Sequence, residues 1–261
     1  MVAMGKLKDQ VVFITGASSG IGASCARAFA QEGARLLLAA RRVERIEQMK
    51  PSLLELGAGD VHIFSLDVQD RAAVEQLPGN LPESWRAIDV LVNNAGLSRG
   101  LDKLHEGKIQ DWEEMIDTNV KGVLYVTRAI VPGMVARGRG HVINLGSTAG
   151  EIPYPGGAVY CASKAAVKFI NDGLREDLLG TPVRVTSVDP GMVETEFAEV
   201  RFRGDSERAA KVYKGVIPLT PDDVADAIVW SATRPAHVNI AHVLMTTIDQ
   251  ANSLLFNRKP H

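Results

Sequence analysis

Short apolar runs alternate with longer amphipathic segments along almost the whole of this 261-residue chain. The apolar runs are mostly rich in Val, Ile and Leu, which is typical of strands buried on both faces. Strands that alternate with helices pair in parallel, because each helix returns the chain to the same end of the sheet. The alternation therefore predicts an α/β fold with a doubly wound parallel sheet. The predicted strands cover residues 11–15, 35–39, 61–66, 88–92, 140–147, 183–188 and 241–246.

The segments between these runs have helical spacing of their apolar residues. No linker, low-complexity stretch or internal repeat divides the chain, so residues 1–261 are expected to form a single domain of Rossmann type. Thr220 and Pro221 are the expected N-cap and first residue of a late helix that runs toward Trp230. The charged stretch at 193–215 is predicted to leave the sheet and act as a lid. The other predicted helices cover residues 20–32, 43–56, 71–77, 110–136 and 158–179.

Composition excludes several classes of protein. The chain has 29 basic and 31 acidic residues, so its net charge of -2 offers no basic excess for nucleic acid. Its two cysteines, Cys25 and Cys161, have neither CxxC nor zinc spacing, which argues against a metal site and favours a reducing compartment. Residues 1–10 contain no secretory signal pattern, and no apolar run approaches the ~18–20 residues of a membrane span. We therefore expect a cytoplasmic protein without membrane association.

A glycine-rich turn, T-G-A-S-S-G-I-G at 15–22, joins the first strand to the first helix. Gly16 permits a tight turn, and Gly20 and Gly22 let backbone approach a pyrophosphate at the positive end of the helix. The alternative is an ordinary strand–helix turn, but the position between a strand and a helix favours a dinucleotide site. The residues expected to contact the cofactor here are Gly16, Ser18, Ser19, Gly20, Ile21 and Gly22.

The end of the second predicted strand indicates which nicotinamide cofactor is used. An acidic residue at this position usually bonds the adenosine ribose and selects NAD. Ala40 stands there instead, and Arg41 and Arg42 follow it. A guanidinium can bond two oxygens of a 2′-phosphate, so the pattern favours NADP(H). The alternative of two solvated arginines is weaker, because cations at a helix N-terminus are unfavourable.

A candidate reacting group follows the fifth predicted strand. Tyr160 and Lys164 are four residues apart on a predicted helix and share one face, and Ser147 ends the preceding strand. A nearby ammonium lowers the pKa of a phenol, so we expect Lys164 to activate Tyr160 for proton exchange with an alcohol or carbonyl. Ser147 would bond the substrate oxygen. Alone, a Tyr-x-x-x-Lys pair is frequent by chance, and its order behind the glycine turn makes it informative.

This ordered set resembles the short-chain dehydrogenase/reductase family over about residues 7–250. The T-G-x-x-x-G-x-G turn, N-N-A-G at 93–96, Ser147, Y-C-A-S-K at 160–164 and P-G at 190–191 carry the resemblance. It implies that Tyr160 and Lys164 also contact the cofactor, Lys164 at the nicotinamide ribose, and that Asn119 supports a water-mediated proton path behind Lys164. Asn94 has the alternative of a purely structural role in its turn. Further cofactor contacts that the resemblance implies are Asp67 and Val68 at the adenine, Asn94, Ala95 and Gly96 along the cofactor, and Pro190, Gly191, Val193 and Thr195 beside it.

Within that family the chain is most similar to a branch of NADP-dependent 3-hydroxy acid dehydrogenases, which includes serine and L-allo-threonine dehydrogenases. Segments 117–119, 146–150, 153–154, 200–205 and 235–240 carry this similarity. The branch implies a homotetramer, in which residues 250–261 would line a subunit interface. Arg201 and Arg203 in the predicted lid are candidates for binding a substrate carboxylate. They have the equal alternative of surface ion pairs with Glu199, Asp205 or Glu207.

The sequence predicts reversible oxidation of a small 3-hydroxy acid or a related secondary alcohol with NADP+. Glu151 would disfavour an acidic substrate if it faced the site, so other ketones and aldehydes stay open as substrates. Two further classes also stay open. One is an NADP-binding scaffold or redox sensor without turnover, against which Asn119, Ser147, Tyr160 and Lys164 argue. The other is a structural interaction module, which predicts no nucleotide binding.

Overall fold

The fold is given by a computed structural model that describes residues 5–259. The expectations for the start of the chain, residues 1–10, and for a subunit interface along 250–261 therefore fall partly outside the described residues.

Within residues 5–259, seven parallel strands form one sheet in the order β3-β2-β1-β4-β5-β6-β7. The order reverses between β1 and β4, which is the mark of a doubly wound sheet and confirms the predicted fold class. Branched and aliphatic side chains fill the central strands, such as β1 and β4, because helices cover both faces of the sheet there. The strands are β1 (Val11–Thr15), β2 (Arg35–Ala40), β3 (Asp60–Ser65), β4 (Ile88–Asn93), β5 (Gly140–Leu145), β6 (Val183–Pro190) and β7 (His242–Met245).

Two hydrophobic layers hold the helices against the sheet. On one face α1, α2 and α9 pack through residues such as Phe29, Ile46 and Ile228, all fully buried. On the other face α3, α5 and α6 pack through residues that include Val126 and Met134. The helices are α1 (Gly20–Gln31), α2 (Val43–Glu55), α3 (Arg71–Asn80), α4 (Ile109–Ile116), α5 (Gly122–Arg137), α6 (Ala158–Asp177), α7 (Phe197–Arg201), α8 (Ser206–Val212) and α9 (Pro221–Ala232).

The start of α9 shows how local chemistry sets a boundary. Thr220 accepts a hydrogen bond from the backbone of Asp223, and the Asp223 carboxylate accepts one from the backbone of Thr220. This reciprocal capping box and Pro221 at the first helical position satisfy donors that the first turn leaves free. The helix begins where the sequence predicts.

Three features differ from the sequence prediction. Strand β5 ends at Leu145, so Ser147 follows the strand and is the N-cap of a short 3-10 helix at Thr148–Gly150. The helix expected over 110–136 contains a π-helical turn at Asp117–Lys121, which separates α4 from α5. The charged stretch at 193–215 contains two short helices, α7 and α8. Single π-helical turns are found frequently at functional sites. Within residues 5–259, no helix combines the length and apolar character needed to cross a membrane.

Candidate active site

The carboxyl ends of the strands open into a cleft with a volume of about 260 Å³. Ligands bind at this edge of doubly wound sheets, where the strand order reverses. The cleft lies against the glycine turn after β1, the arginines after β2, the ends of β4, β5 and β6, and the first part of 193–215. We call it the strand-end cleft.

The glycine turn has the conformation of an anion-binding cradle. Gly16 and Gly20 have φ angles of 67° and 51°, which L side chains rarely adopt. A Cβ on Gly22 would lie 2.4 Å from the carbonyl oxygen of Gly16, so only glycine lets α1 pack this close. Ser19, the N-cap of α1, makes no side-chain capping bond, and the first turn has no acidic residue. The start of α1 therefore offers N–H groups that a phosphate can bind, with no competing carboxylate in the first turn.

Asn94 ties the glycine turn to the end of β4. Its Nδ2 donates to the carbonyl oxygens of Thr15 at 2.8 Å and Gly16 at 3.1 Å. Thr15 Oγ1 in turn accepts from the backbone N–H groups of Asn94 and Ala95, both at 3.1 Å. Asn94 therefore has the structural role that the sequence left open, and it also lines the strand-end cleft.

The arginines after β2 lie at the same cleft. Ala40 ends the strand and is buried, so no carboxylate stands at that position. Arg41 approaches Asp67 at 3.9 Å and keeps 60% of its side chain exposed. Arg42 donates from Nη2 to Ser19 Oγ at 3.1 Å, which brings its guanidinium to the glycine turn. Both cations can reach an anion at the mouth of the cleft.

Tyr160, Ser147 and Lys164 meet deeper in the cleft. Tyr160 is buried on α6 in a small apolar cluster above the sheet, with the Phe197 ring 5.6 Å away. Ser147 hydrogen-bonds Tyr160 and accepts from the backbone N–H of Ala149 at 3.1 Å. Lys164 Nζ donates to the carbonyl oxygen of Leu145 at 2.8 Å. The end of β5 thus positions both neighbours of the phenol.

Burial shifts the tyrosine and the lysine toward their neutral forms. The pKa of Tyr160 lies above the ordinary tyrosine value, mainly because the ring is buried and then because Tyr154 is near. The Arg201 cation and the bond with Ser147 oppose that rise. Burial lowers the pKa of Lys164 to about 8, against the attraction of Asp189. The net pKa of Tyr160 is therefore raised and not lowered as the sequence predicts, because burial dominates the shift and Lys164 Nζ bonds the Leu145 carbonyl.

Asn119 lies in the π-helical turn behind the lysine. Its amide exchanges two hydrogen bonds of 2.8 Å with the backbone of Leu97 and donates to Ser163 Oγ at 3.0 Å. A Cβ added to Gly96 would lie 3.3 Å from Asn119 Oδ1 and 3.6 Å from Lys164 Nζ. Asn119 and Lys164 therefore flank Gly96 on the same side. Asn119 does not line the strand-end cleft itself.

The two candidate arginines of 193–215 have different surroundings. Arg203 is exposed and forms ion pairs with Asp111 and, at 3.2 Å, with Glu114. Arg201 bonds hydroxyls instead, donating to Tyr154 Oη at 2.9 Å and Ser98 Oγ at 3.1 Å.

Arg201 also faces the reacting group. Its guanidinium carbon lies 5.4 Å from the centre of the Tyr160 ring and 5.2 Å from that of Phe197. Within residues 5–259, Arg201 contacts no carboxylate, and two bonds leave the rest of its five donors for a ligand. Glu151, which would disfavour an acidic substrate if it faced the site, pairs with Lys168. Its charge is therefore compensated.

The structure brings together most of the residues that the sequence selected. Gly22, Asn119, Arg201 and Arg203 are the selected residues that do not line the strand-end cleft. Gly22 packs beneath the glycine turn and Asn119 lies behind Gly96. Those that line it are Gly16, Ser18, Ser19, Gly20, Ile21, Arg41, Arg42, Asp67, Val68, Asn94, Ala95, Gly96, Ser147, Tyr160, Lys164, Pro190, Gly191, Val193 and Thr195.

Sequence reasoning missed Glu196 and Phe197, which line this site, and Arg45, which bonds Glu196. Glu196 lines the cleft and bonds Arg42 and Arg45, which lie more than a hundred residues earlier. Phe197 packs on Tyr160. The sequence shows an acidic residue at position 196, but no spacing rule pairs it with arginines that lie so far earlier in the chain.

Comparison with known proteins agrees with the family resemblance of the sequence motifs. The family model described as short chain dehydrogenase matches residues 10–205. An NADP-dependent 3-hydroxy acid dehydrogenase YdfG from Salmonella typhi is 51% identical over 242 residues, which cover 92% of this chain and 96% of the relative. Sulfoacetaldehyde reductase 2 from Chromohalobacter salexigens is 45% identical over 244 residues, covering 93% and 96% respectively.

A solved structure agrees with these relatives. The closed form of a serine dehydrogenase complexed with NADP+ superposes with a TM-score of 0.89 at 47% identity and covers 96% of this chain and 100% of its own. The family match spans most of the sheet and the whole of the strand-end cleft. The chain belongs to the short-chain dehydrogenase family.

Proposed function

We propose that this chain is an NADP(H)-dependent oxidoreductase that interconverts a small 3-hydroxy acid, or a related secondary alcohol, with its carbonyl compound. The observation that carries the proposal is the meeting of Ser147, Tyr160 and Lys164 with the glycine turn in one cleft. The relative from Salmonella typhi, at 51% identity, bears the name of that activity.

The residues of the cleft fit a dinucleotide with a 2′-phosphate. The uncapped start of α1 and the positive-φ glycines suit the pyrophosphate. Arg41 and Arg42 suit the 2′-phosphate, because Ala40 offers no carboxylate to repel it. The serine dehydrogenase structure with 47% identity was solved with NADP+. We assign Asp67 and Val68 of the cleft lining to the adenine, and Pro190, Gly191, Val193 and Thr195 to the nicotinamide side.

The chain's own residues supply the proton. In the reductive direction the neutral phenol of Tyr160 donates to the carbonyl oxygen, while the Ser147 hydroxyl bonds the same oxygen. The Lys164 ammonium stabilises the resulting phenolate, and Asn119 supports proton return from behind it. In oxidation the alcohol proton passes to the Tyr160 phenolate. Bound nicotinamide supplies or accepts the hydride.

Arg201 is the group we assign to the acidic end of the substrate. It is a cation without a carboxylate partner among residues 5–259, it lies beside the ring of Tyr160, and Tyr154 and Ser98 fix its orientation. Arg203 is the alternative, but two carboxylates already compensate its charge. Residues 193–215, which contribute Phe197 and Arg201, would act as the substrate lid.

A second candidate function is the reduction of other ketones or aldehydes, among them sulfonated ones. A guanidinium flanked by two hydroxyls can bind a sulfonate as readily as a carboxylate, because the sulfonate and the carboxylate each present more than one acceptor oxygen. The relative from Chromohalobacter salexigens is named a sulfoacetaldehyde reductase. An NADP-binding scaffold without turnover is a third possibility, and the assembled Ser147, Tyr160 and Lys164 argue against it.

We also propose a cytoplasmic homotetramer. Both cysteines, Cys25 and Cys161, are unpaired and buried, which suits a reducing compartment. The large exposed apolar side chains include two groups, besides others such as Ile109 and Ile217. One comprises α5, α6 and the residues just after α6, with Leu124, Phe169 and Leu179; the other comprises 244–255, with Leu244, Ile248, Leu254 and Leu255. Two separate apolar regions suit a closed tetramer, which has more than one kind of interface.

The experiment is a substrate panel with Arg201→Met and Arg203→Met. Purified protein is assayed for NADP+ reduction with 3-hydroxypropionate, serine, L-allo-threonine, 2-hydroxyethanesulfonate and neutral alcohols of matched length. A charge-assisted bond contributes about 1.5–3 kcal/mol, so Arg201→Met should raise KM for the acidic substrates roughly 10- to 100-fold. KM for neutral alcohols should stay nearly constant.

The paired variants distinguish the two arginines. A selective loss of acidic substrates in Arg203→Met, with Arg201→Met unaffected, would assign the anion to Arg203. Equal losses for acidic and neutral substrates in both variants would contradict an arginine anchor. NADPH binding without turnover of any alcohol or carbonyl in the panel would replace the enzyme assignment with the scaffold.

A further inference from the structure

Glu196 belongs to the proposed lid, residues 193–215. Its carboxylate bonds two arginines at the end of the strand-end cleft that lies away from Tyr160. It directly precedes α7, and its side chain is 41% exposed. Oε1 accepts from Arg45 Nη1 at 2.7 Å, and Oε2 accepts from Arg45 Nη1 at 3.0 Å and from Arg42 Nη1 at 3.3 Å. Arg42 is the N-cap of α2, and Arg45 lies in its first turn.

The Arg42 guanidinium bonds two different groups. Its Nη2 reaches Ser19 Oγ in the glycine turn, where we assign the phosphates, while its Nη1 bonds the lid carboxylate. Burial raises the pKa of Glu196, but bonds and attraction from Arg45 and Arg42 outweigh that effect and hold it below the ordinary value. Glu196 is therefore charged at neutral pH, and an anion already occupies part of the guanidinium that a 2′-phosphate would use.

We propose that Glu196 tunes the cofactor preference of this protein, because its carboxylate competes with the 2′-phosphate for Arg42 while Arg45 retains it at the lid. Among residues 5–259 the one carboxylate partner of Arg41 is the distant Asp67 at 3.9 Å, so Arg41 remains available to the phosphate. The inference rests on the proposed function in one respect, the assignment of the 2′-phosphate to Arg41 and Arg42. It adds a residue that opposes NADP(H) binding and a second arginine, Arg45, that limits this opposition.

The same carboxylate connects the two ends of the cleft. The helix that follows Glu196, α7, contributes Phe197 and Arg201, which contact the ring of Tyr160 and the two hydroxyls around it. Anchoring Glu196 to α2 thus holds the substrate-side residues of the lid in place. Neutralising Glu196 should release Arg42 for the phosphate and loosen α7, so cofactor and substrate affinities should move in opposite directions.

The test uses Glu196→Gln and the matched control Glu194→Gln, which removes the same charge two residues earlier on an exposed side chain. Dissociation constants for NADPH and NADH are measured by cofactor fluorescence without substrate. An ion pair this exposed contributes up to about 1 kcal/mol, so the NADPH Kd should fall roughly two- to fivefold in Glu196→Gln. The NADH Kd should not change, and Glu194→Gln should change neither constant.

Arg45→Met should change the NADPH Kd in the opposite direction. Without Arg45 the Glu196 carboxylate depends on Arg42 alone, so the NADPH Kd should rise while the NADH Kd stays constant. In the double variant with Glu196→Gln, the effect of Arg45→Met should largely disappear, because the competitor is gone. Where turnover is measurable, Glu196→Gln should also raise the KM of the acidic substrate at saturating NADPH.

Three outcomes would overturn this inference: an NADPH Kd in Glu196→Gln that stays constant or rises, an equal shift for NADH, or additive effects in the double variant. Additive effects of Glu196→Gln and Arg45→Met would mean that each residue acts on the cofactor only through its long-range charge. All three require a wild-type protein that binds NADPH. Failure of the wild-type protein to bind NADPH at all would instead reject the proposed function.

Discussion

Tyr160 is a neutral acid in this structure, and that has consequences at the scale of single residues. Burial keeps the proton on the phenol, which suits donation to a carbonyl oxygen. Lys164, with a pKa of about 8, is charged at neutral pH and loses its charge at mildly alkaline pH. The two groups therefore act together as a proton donor only below the pKa of the lysine.

Opposite pH profiles follow for the two directions of the reaction. A raised tyrosine pKa means that phenolate forms only at alkaline pH, so the initial rate of alcohol oxidation should rise from neutral to about pH 10. Reduction needs the protonated phenol and the charged lysine, so its kcat/KM should be level at neutral pH and fall above about pH 8. Initial rates in both directions measure this, and parallel profiles would contradict it.

Arg201 and Arg203 show where residue-level prediction from sequence ends. Both are arginines of one charged segment, and composition alone gives them equal roles. The structure separates them through residues that are distant along the chain: Asp111 and Glu114 on α4 pair with Arg203, and Ser98 and Tyr154 bond Arg201. Selecting between such partners requires the tertiary fold. The raised pKa of Tyr160 is unpredictable for the same reason, since spacing along a helix says nothing about burial.

At the scale of elements, buried strands were the easiest to predict. Strands β1, β2 and β4 match their predicted ranges to within one residue, because an apolar run covered on both faces has sharp polar ends. The π-helical turn at Asp117–Lys121 escaped prediction, since hydrophobic periodicity does not register one wider turn. The short helices α7 and α8 escaped as well, because this charged stretch has no clear apolar face. The elements hardest to predict thus supply Asn119, Phe197 and Arg201.

At the scale of the whole molecule, the site is a product of topology. The glycine turn, the arginines after β2, Asn94, Ser147 and Pro190 lie at the ends of five different strands. The parallel order brings all five ends to one edge. A sequence that indicates the strand order through recognised motifs therefore predicts most of the cleft. It does not predict the ion pairs across the cleft, such as that between Arg45 and Glu196.

The proposed tetramer gives a prediction for the intact protein. Sedimentation velocity should detect a species of four 28.1 kDa chains. A charge in either apolar region should break one kind of interface, so Phe169→Glu and Ile248→Glu should each yield smaller species. Ile217→Glu, at a residue 74% exposed and outside both regions, is the matched control and should leave the tetramer intact. A wild-type monomer would contradict the prediction.

The most direct test of the whole account is Tyr160→Phe, which removes one hydroxyl and keeps the ring that packs on Phe197. General acid–base catalysis contributes 10²–10⁴-fold, so kcat with 3-hydroxypropionate and NADP+ should fall roughly 100- to 10,000-fold. The NADPH Kd by fluorescence titration should change by less than about twofold, because Tyr160 has no part in holding the phosphates. Turnover within tenfold of wild type, at unchanged cofactor affinity, would contradict the role of Tyr160 as the proton donor.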